Sequence, residues 1–330
     1  MTQELTEELS PAQIAARSEQ VALRLRPHLP PTPLQRFGAF SDELGAEVLV
    51  KCEHLQRTGS FKARGAMAKI LTLTDEQRER GVVTASTGNH ALGVGNALAT
   101  LGGRGIVYLP ENASPSKVAA LRRFGLELRA EGNDSGVLEP VARAYAAEHG
   151  LTYVSPYNDP DIIAGQGTVG VEILEQLAGE KLDAVVIAVG GGGLVSGVAA
   201  VLKRHLPDVK VYGASPVVDA AMAASIEAGE IVQADGQDTL ADGTAGSVEP
   251  GSITFELCRE LVDDWVLVPE EAIKDALRMV IDTEHQLIEG SAAMAIAAAR
   301  LRSTELAGQR VAIVSCGGNI SSSTLAAALA

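Results

Sequence analysis

The chain has 330 residues, 46% hydrophobic and 21% charged, enough to bury a large core and at the length where one domain commonly becomes two. Its formal net charge of −15 excludes a phosphate backbone or an anionic membrane as the natural partner, since both demand a basic face. Three widely spaced cysteines, Cys52, Cys258 and Cys316, form neither a disulfide framework nor a zinc knuckle, which fits a reducing, cytoplasmic compartment.

The N-terminus, MTQELTEELSPAQ, lacks the basic-then-apolar pattern of a signal peptide, and no apolar run is long enough to span a membrane. A helix is expected over about 5 to 27, followed by PHLPPTPLQRF, where Pro30, Pro31 and Pro33 enforce an extended entry into the body. Six Val- and Ile-rich runs follow: 46–52, 81–86, 104–110, 183–190, 209–215 and 309–317. They alternate with segments of helical length, the signature of parallel sheets. Several end in Gly or Ser clusters, which places functional loops at the carboxyl ends of the strands. The cluster SPYNDPDIIAGQG at 155–167 reads as a hinge or crossover. The alanine-rich stretches near 220–229 and 290–301 read as closely packed helices.

Four motifs carry candidate chemistry. In TGSFKARGA, 58–66, Lys62 stands at an expected helix start, where the dipole opposes its cation; with burial, that would lower its pKa toward a usable amine. An isolated lysine of this kind is more often a solvated surface residue. STGNH, 86–90, follows a strand and opens a helix, so Ser86 and Thr87 could receive a carboxylate, although a plain cap would look the same. GGGGL, 190–194, again between strand and helix, suits a phosphate cradle. It lacks the lysine of a nucleotide loop and is no clean dinucleotide fingerprint, and a ligand-free tight turn is its alternative. SCGGNI, 315–320, is weak alone, because Cys316 could be a small core residue. Together, an amine for an aldehyde, a glycine loop for a phosphate, a polar loop for a carboxylate and a strand-end group for a ring specify pyridoxal phosphate holding an amino acid.

The ordered set TGSFKARGA, STGNH, GGGGL and SCGGN, with PYNDPDIIAGQGTVGVEILEQL between, resembles the serine/threonine dehydratase and serine racemase family of tryptophan synthase β-like, fold-type II enzymes. The resemblance implies an α/β fold of two open twisted lobes with the cofactor in the cleft, residues 1–74 and 158–330 forming the larger and 75–157 the smaller. It implies Lys62 as the Schiff-base lysine, Phe61 against the ring, Asn89 on the ring hydroxyl, and Gly190, Gly191, Gly192, Gly193 and Leu194 on the phosphate. Ser86, Thr87, Gly88, Asn89 and His90 match the substrate-carboxylate loop, and Glu289 and Gly243 match positions near the ring and mouth. Cys316 matches the place beside the pyridine nitrogen; a neutral thiol keeps that nitrogen protonated less well than an aspartate would, which favours elimination.

The implied reaction is the dehydration and deamination of threonine or serine to a 2-oxo acid and ammonia by a homodimer. The alternatives are a racemase, or a dehydratase of hydroxyaspartate, phenylserine or a hydroxyectoine-derived compound. In the family's racemases a serine serves as the second base where Thr87 stands here, which argues against racemisation. Ser215 and Ala221 replace the carboxylates of the family's cation site, leaving Asp219, so a structural cation is not expected. The stretch 131–140 lacks an arginine for a second carboxylate, which disfavours hydroxyaspartate. An isoleucine-sensing module is not expected.

Overall fold

The computed structural model describes residues 9–86, 88–113, 115–132, 138–233 and 236–330. Two sheets organise these residues. The larger has the order β1-β2-β10-β7-β8-β9, formed by β1 (Leu34–Arg36), β2 (Glu47–Cys52), β7 (Ala184–Ala188), β8 (Lys210–Pro216), β9 (Asp264–Val268) and β10 (Arg310–Ser315). The smaller has the order β5-β4-β3-β6, formed by β3 (Val82–Ala85), β4 (Gly105–Leu109), β5 (Glu127–Ala130) and β6 (Thr152–Tyr153). Only β1 pairs antiparallel; all other pairings are parallel. The central strands β7 and β10 are buried almost throughout, as expected of strands covered on both faces.

All six expected strands are present, and β1, β5, β6 and β9 add to them. The expected N-terminal helix runs Pro11–Leu25; Ser10 accepts from the Gln13 N–H while the Gln13 side chain returns to the Ser10 N–H, a capping box that sets its start. Residues 5–8 of the expected helix lie outside the described residues. The 155–167 segment is only partly a connection. Asp159 caps the helix Pro160–Leu177 through the N–H groups of Asp161 and Ile162, with Pro160 in its first turn, so PDIIAGQG is helical.

The helix Pro160–Leu177 packs against Lys62–Thr72, Gly193–His205 and Pro11–Leu25. Its approach to Lys62–Thr72 is close: a Cβ on Gly165 would fall 2.6 Å from the Gly65 Cα, so only two glycines permit this crossing. Behind the crossing lies a buried charge network. Arg64 donates to both oxygens of Glu53 at 2.7 and 2.8 Å and of Glu172 at 2.6 and 2.8 Å. Lys51 donates to Glu172 at 2.6 Å, to Gln176 at 3.0 Å and to the Thr32 carbonyl at 2.6 Å. Burial works against ionisation of Glu172, but hydrogen bonds and charge from Arg64 and Lys51 outweigh it and hold its carboxyl below the usual value. Two cations and two carboxylates thus fix the helix that begins at Lys62.

Candidate active site

The four motifs converge at the carboxyl ends of parallel strands. Gly190–Gly193 follows β7, Cys316 follows β10, Lys62 follows the short turns after β2, and Ser86–His90 follows β3 of the smaller sheet. Strands β2, β10 and β7 are neighbours, so three loops open onto one edge of one sheet. An antiparallel bridge between Ser60 and Gly317, and a bond from the Phe61 N–H to the Cys316 carbonyl at 3.0 Å, tie the lysine loop to the cysteine loop. A surface depression of about 760 Å³ lies elsewhere, at the amino ends of these strands, among Arg36, Asp42, Glu47, Lys181, Asp183 and Arg310. Its charges pair with one another, as in Arg310 with Glu47 and Lys181 with Asp183.

Lys62 is the first residue of Lys62–Thr72. Its amine donates to the Pro156 carbonyl at 2.8 Å and lies 5.2 Å from the centre of the Phe61 ring. Burial pulls it down to about 8, against the pull of Glu139, Cys316 and Glu289. An amine with that value is partly neutral near pH 7 and can act as nucleophile or base. His90 feels the charge of the same amine. Burial, with the Lys62 charge adding, pushes its imidazole down to about 3, so the ring is neutral. Its Nε2 lies 3.1 Å from the Val154 carbonyl and must carry the proton, which leaves Nδ1 an acceptor without a partner among the described residues. The ring therefore cannot donate to a carboxylate; the part of His90 suited to one is its N–H.

The glycine run has the shape an anion needs. Gly192 adopts φ 84°, favoured by glycine, and precedes the helix Gly193–His205, whose first N–H groups have no capping side chain. A Cβ at Gly190 would lie 2.7 Å from the Thr244 carbonyl oxygen, and one at Gly191 would lie 2.5 Å from the Tyr157 ring. The cradle is therefore bare backbone by steric necessity, and its residues fit a phosphate. Leu194 is buried in the large core, so only its N–H is suited to the cradle. We expect Gly191→Ala to displace the Tyr157 ring and weaken cofactor binding at least about tenfold, the cost of one overpacked methyl, in a titration of cofactor absorbance.

Asn89, at the start of Asn89–Leu101, donates from Nδ2 to both oxygens of Glu289 at 2.9 and 3.1 Å, and its Oδ1 accepts from Asn319 Nδ2 at 2.7 Å. Ser86 accepts from the Gly88 N–H at 3.2 Å, shaping the turn into the same helix. Gly243 lies where a Cβ would fall 2.9 Å from the Ser291 Oγ, itself buried and without a partner among the described residues. Ser215 donates to the Val189 carbonyl at 3.0 Å and Asp219 accepts from the Gly246 N–H at 2.9 Å, so both serve loop structure. Thr87 and residues 133–137 lie outside the described residues.

Sequence reasoning missed Tyr157, Asn319 and Glu139. Tyr157 walls the glycine cradle and was visible only as part of the PYNDPD signature. Asn319 stands in the quoted SCGGN and bridges Asn89 to the Thr58 carbonyl at 2.7 Å. Glu139, pushed up to about 7 by burial and the nearby Glu249, is the leading carboxylate facing the Lys62 amine, a tertiary neighbour that no motif announced.

Known proteins give the same picture. The L-threonine ammonia-lyase of Thermotoga maritima is 42% identical over 289 residues, covering 88% of this chain and 71% of that one. The processed form of threonine deaminase isoform 2 from Solanum lycopersicum superposes with a TM-score of 0.90 at 34% identity, over 96% of this chain and 87% of that one. The serine racemase of Dictyostelium discoideum superposes with a TM-score of 0.85 at 32% identity, over 93% and 98%. The profile described as pyridoxal-phosphate dependent enzyme matches residues 25–317, which hold Lys62, Asn89, the glycine run, Glu289 and Cys316, and the chain belongs to that family.

Proposed function

We propose that the protein eliminates water from a β-hydroxy amino acid, L-threonine or L-serine, and that one water is then taken up as the resulting imine hydrolyses, so that the net products are a 2-oxo acid and ammonia. The observation that carries this reading is the Lys62 amine, lowered to about 8 and placed among the glycine cradle, the Cys316 wall and the polar start of Asn89–Leu101. When bound, the cofactor supplies an aldehyde for the substrate amine and a ring that takes up electron density from Cα. Lys62 holds the cofactor and then, freed, takes the Cα proton. Backbone N–H groups of 190–194 would hold the phosphate, Phe61 and Cys316 would lie against the ring, and Asn89 with Glu289 would hold its hydroxyl. The loop Ser86–His90, with Thr87 in it, orients the substrate carboxylate, and Gly243 borders the mouth. No cation is needed for these contacts.

Residues 75–157 are read as a lobe that closes over substrate. Ion pairs from it to the rest of the chain support this: Lys117 with Asp242 at 3.1 Å and Arg143 with Glu249 at 2.8 Å. The protein is read as a cytoplasmic homodimer, the first part in keeping with three free cysteines.

Substrate choice follows charge. Glu139, the leading carboxylate acting on the amine, disfavours a second carboxylate there. Cofactor-loaded protein offered L-threonine, L-serine, D-serine, threo-hydroxyaspartate and phenylserine, with and without EDTA, is expected to yield 2-oxo acid from threonine or serine. Hydroxyaspartate should react at least about tenfold more slowly. The likeness to a serine racemase favours inversion as the second reading. Inverted substrate without oxo acid would replace elimination with that reaction.

A further inference from the structure

Glu289 enters the reading above only by position, yet it gathers more donors than its place in the chain requires. It precedes the helix Gly290–Leu301 but makes no capping bond with its side chain. Its carboxylate instead receives Asn89 Nδ2 on both oxygens, the Asn319 N–H at 3.1 Å and the Cys316 thiol at 3.9 Å. These donors come from the smaller sheet's β3 loop and from the end of β10. Both Glu289 and Cys316 are 3% exposed. Burial pushes the Glu289 carboxyl up to about 7; Asn89 opposes this, Asp242 adds to it, and the Asn319 N–H and Lys117 oppose it. The Cys316 thiol is raised by its burial and by Glu289, with Lys62 opposing and Glu53 adding.

A thiol has one proton. With Glu289 ionised, that proton is committed to the carboxylate, and sulfur offers only lone pairs to its other side. With Glu289 protonated, its O–H needs an acceptor. Asn89 presents its Nδ2 and Asn319 its N–H to the carboxyl, both donors, so among the described neighbours the Cys316 sulfur is left to take the bond, and its own proton turns outward. We propose that Glu289 is a positioning residue that sets the hydrogen-bonding direction of Cys316, and so decides whether this wall accepts from, or donates to, the nitrogen of the bound cofactor ring. The inference rests on the family's cofactor lying against Cys316. It modifies the picture of a plain neutral thiol: above the titration of Glu289, Cys316 favours a ring nitrogen that keeps its proton.

The test is the infrared S–H stretch of cofactor-loaded protein in a Cys52→Ala, Cys258→Ala background, where Cys316 is the single thiol. The band should move to lower frequency as pH rises through about 7. Glu289→Gln should abolish that movement and flatten the matching change in the cofactor's visible absorbance. It should also lower kcat roughly tenfold while KM stays within about threefold, as expected when a supporting contact is lost. Glu289→Asp, which keeps the charge, should restore the inflection. An S–H band that ignores pH in the parent, or moves equally in Glu289→Gln, overturns the proposal; so does Glu289→Asp behaving like Glu289→Gln. The band is read without substrate, so failure of the elimination reading leaves its outcome intact.

Discussion

Lys62→Ala is expected to fold and to lose turnover by more than about 10⁴-fold, because one amine serves as both attachment point and base. Folding should survive because the lysine lies at a helix start beside the site and its one hydrogen bond ends on the Pro156 carbonyl. The charge argument adds a second, independent readout. The folded chain releases the Lys62 proton near 8, whereas an unfolded lysine holds it to about 10.5. Between those values the unfolded state binds more protons, so the lysine's contribution to stability is undiminished above 10.5 and is lost as pH falls through 8. The variant should therefore compare most favourably with wild type below pH 8, and the gap should narrow toward pH 10. Calorimetry of the cofactor-free proteins at pH 7 and 10, beside a 2-oxo acid assay, checks both parts. Turnover within tenfold of wild type would remove Lys62 from the chemistry.

Arg64→Met should cost about 3–5 kcal/mol of stability, the usual penalty for leaving buried charge without its partner. Arg64 is 1% exposed and is the cation bonded to Glu53, whose side chain is otherwise bonded, among the described residues, only by the Thr32 hydroxyl. Glu172 keeps Lys51 and suffers less. The double variant Glu53→Gln with Arg64→Met should recover part of the loss, because the stranded charge is then gone. Urea unfolding at constant slope gives both numbers. A loss below about 1 kcal/mol in the single variant would show that water reaches Glu53 and that the network is a surface feature in solution.

The sequence was most legible where local rules dominate. Strands such as 183–190 and 309–317 are apolar on both faces and end in glycines, so their type and direction follow from composition alone. β5, ELRA, lies at a sheet edge with no buried residue, and β6 has two residues; neither offers a pattern to read. β9, DWVLV, is apolar enough, but the preceding acids and the following proline hide it among helical segments. PDIIAGQG misleads in the other direction: its proline and glycines look like a loop, whereas the proline sits in a helical first turn and Gly165 and Gly167 thin the helix for its neighbours.

The site divides the same way. Lys62, the glycine run and Cys316 announce themselves because loop chemistry is written in contiguous residues. Glu139 with Lys62, Asn319 with Asn89, and Glu289 with Cys316 are pairs separated by 27 to 230 positions or brought together only by the sheets. Nothing local marks them.

The network behind Lys62 also bears on how the chain reaches its native state. Four of its members, Thr32, Lys51, Glu53 and Arg64, lie within residues 32–64, and the fifth, Glu172, joins them only where the helix Pro160–Leu177 packs on Lys62–Thr72. Until then each charge is better off in water, so partial or misregistered docking gains nothing from the others and gives up hydration. The full set of charges is therefore matched only in the native register of these two helices. It penalises a catalytic lysine presented in the wrong register more heavily than an apolar interface would, since hydrophobic contacts reward approximate fits and four matched charges do not.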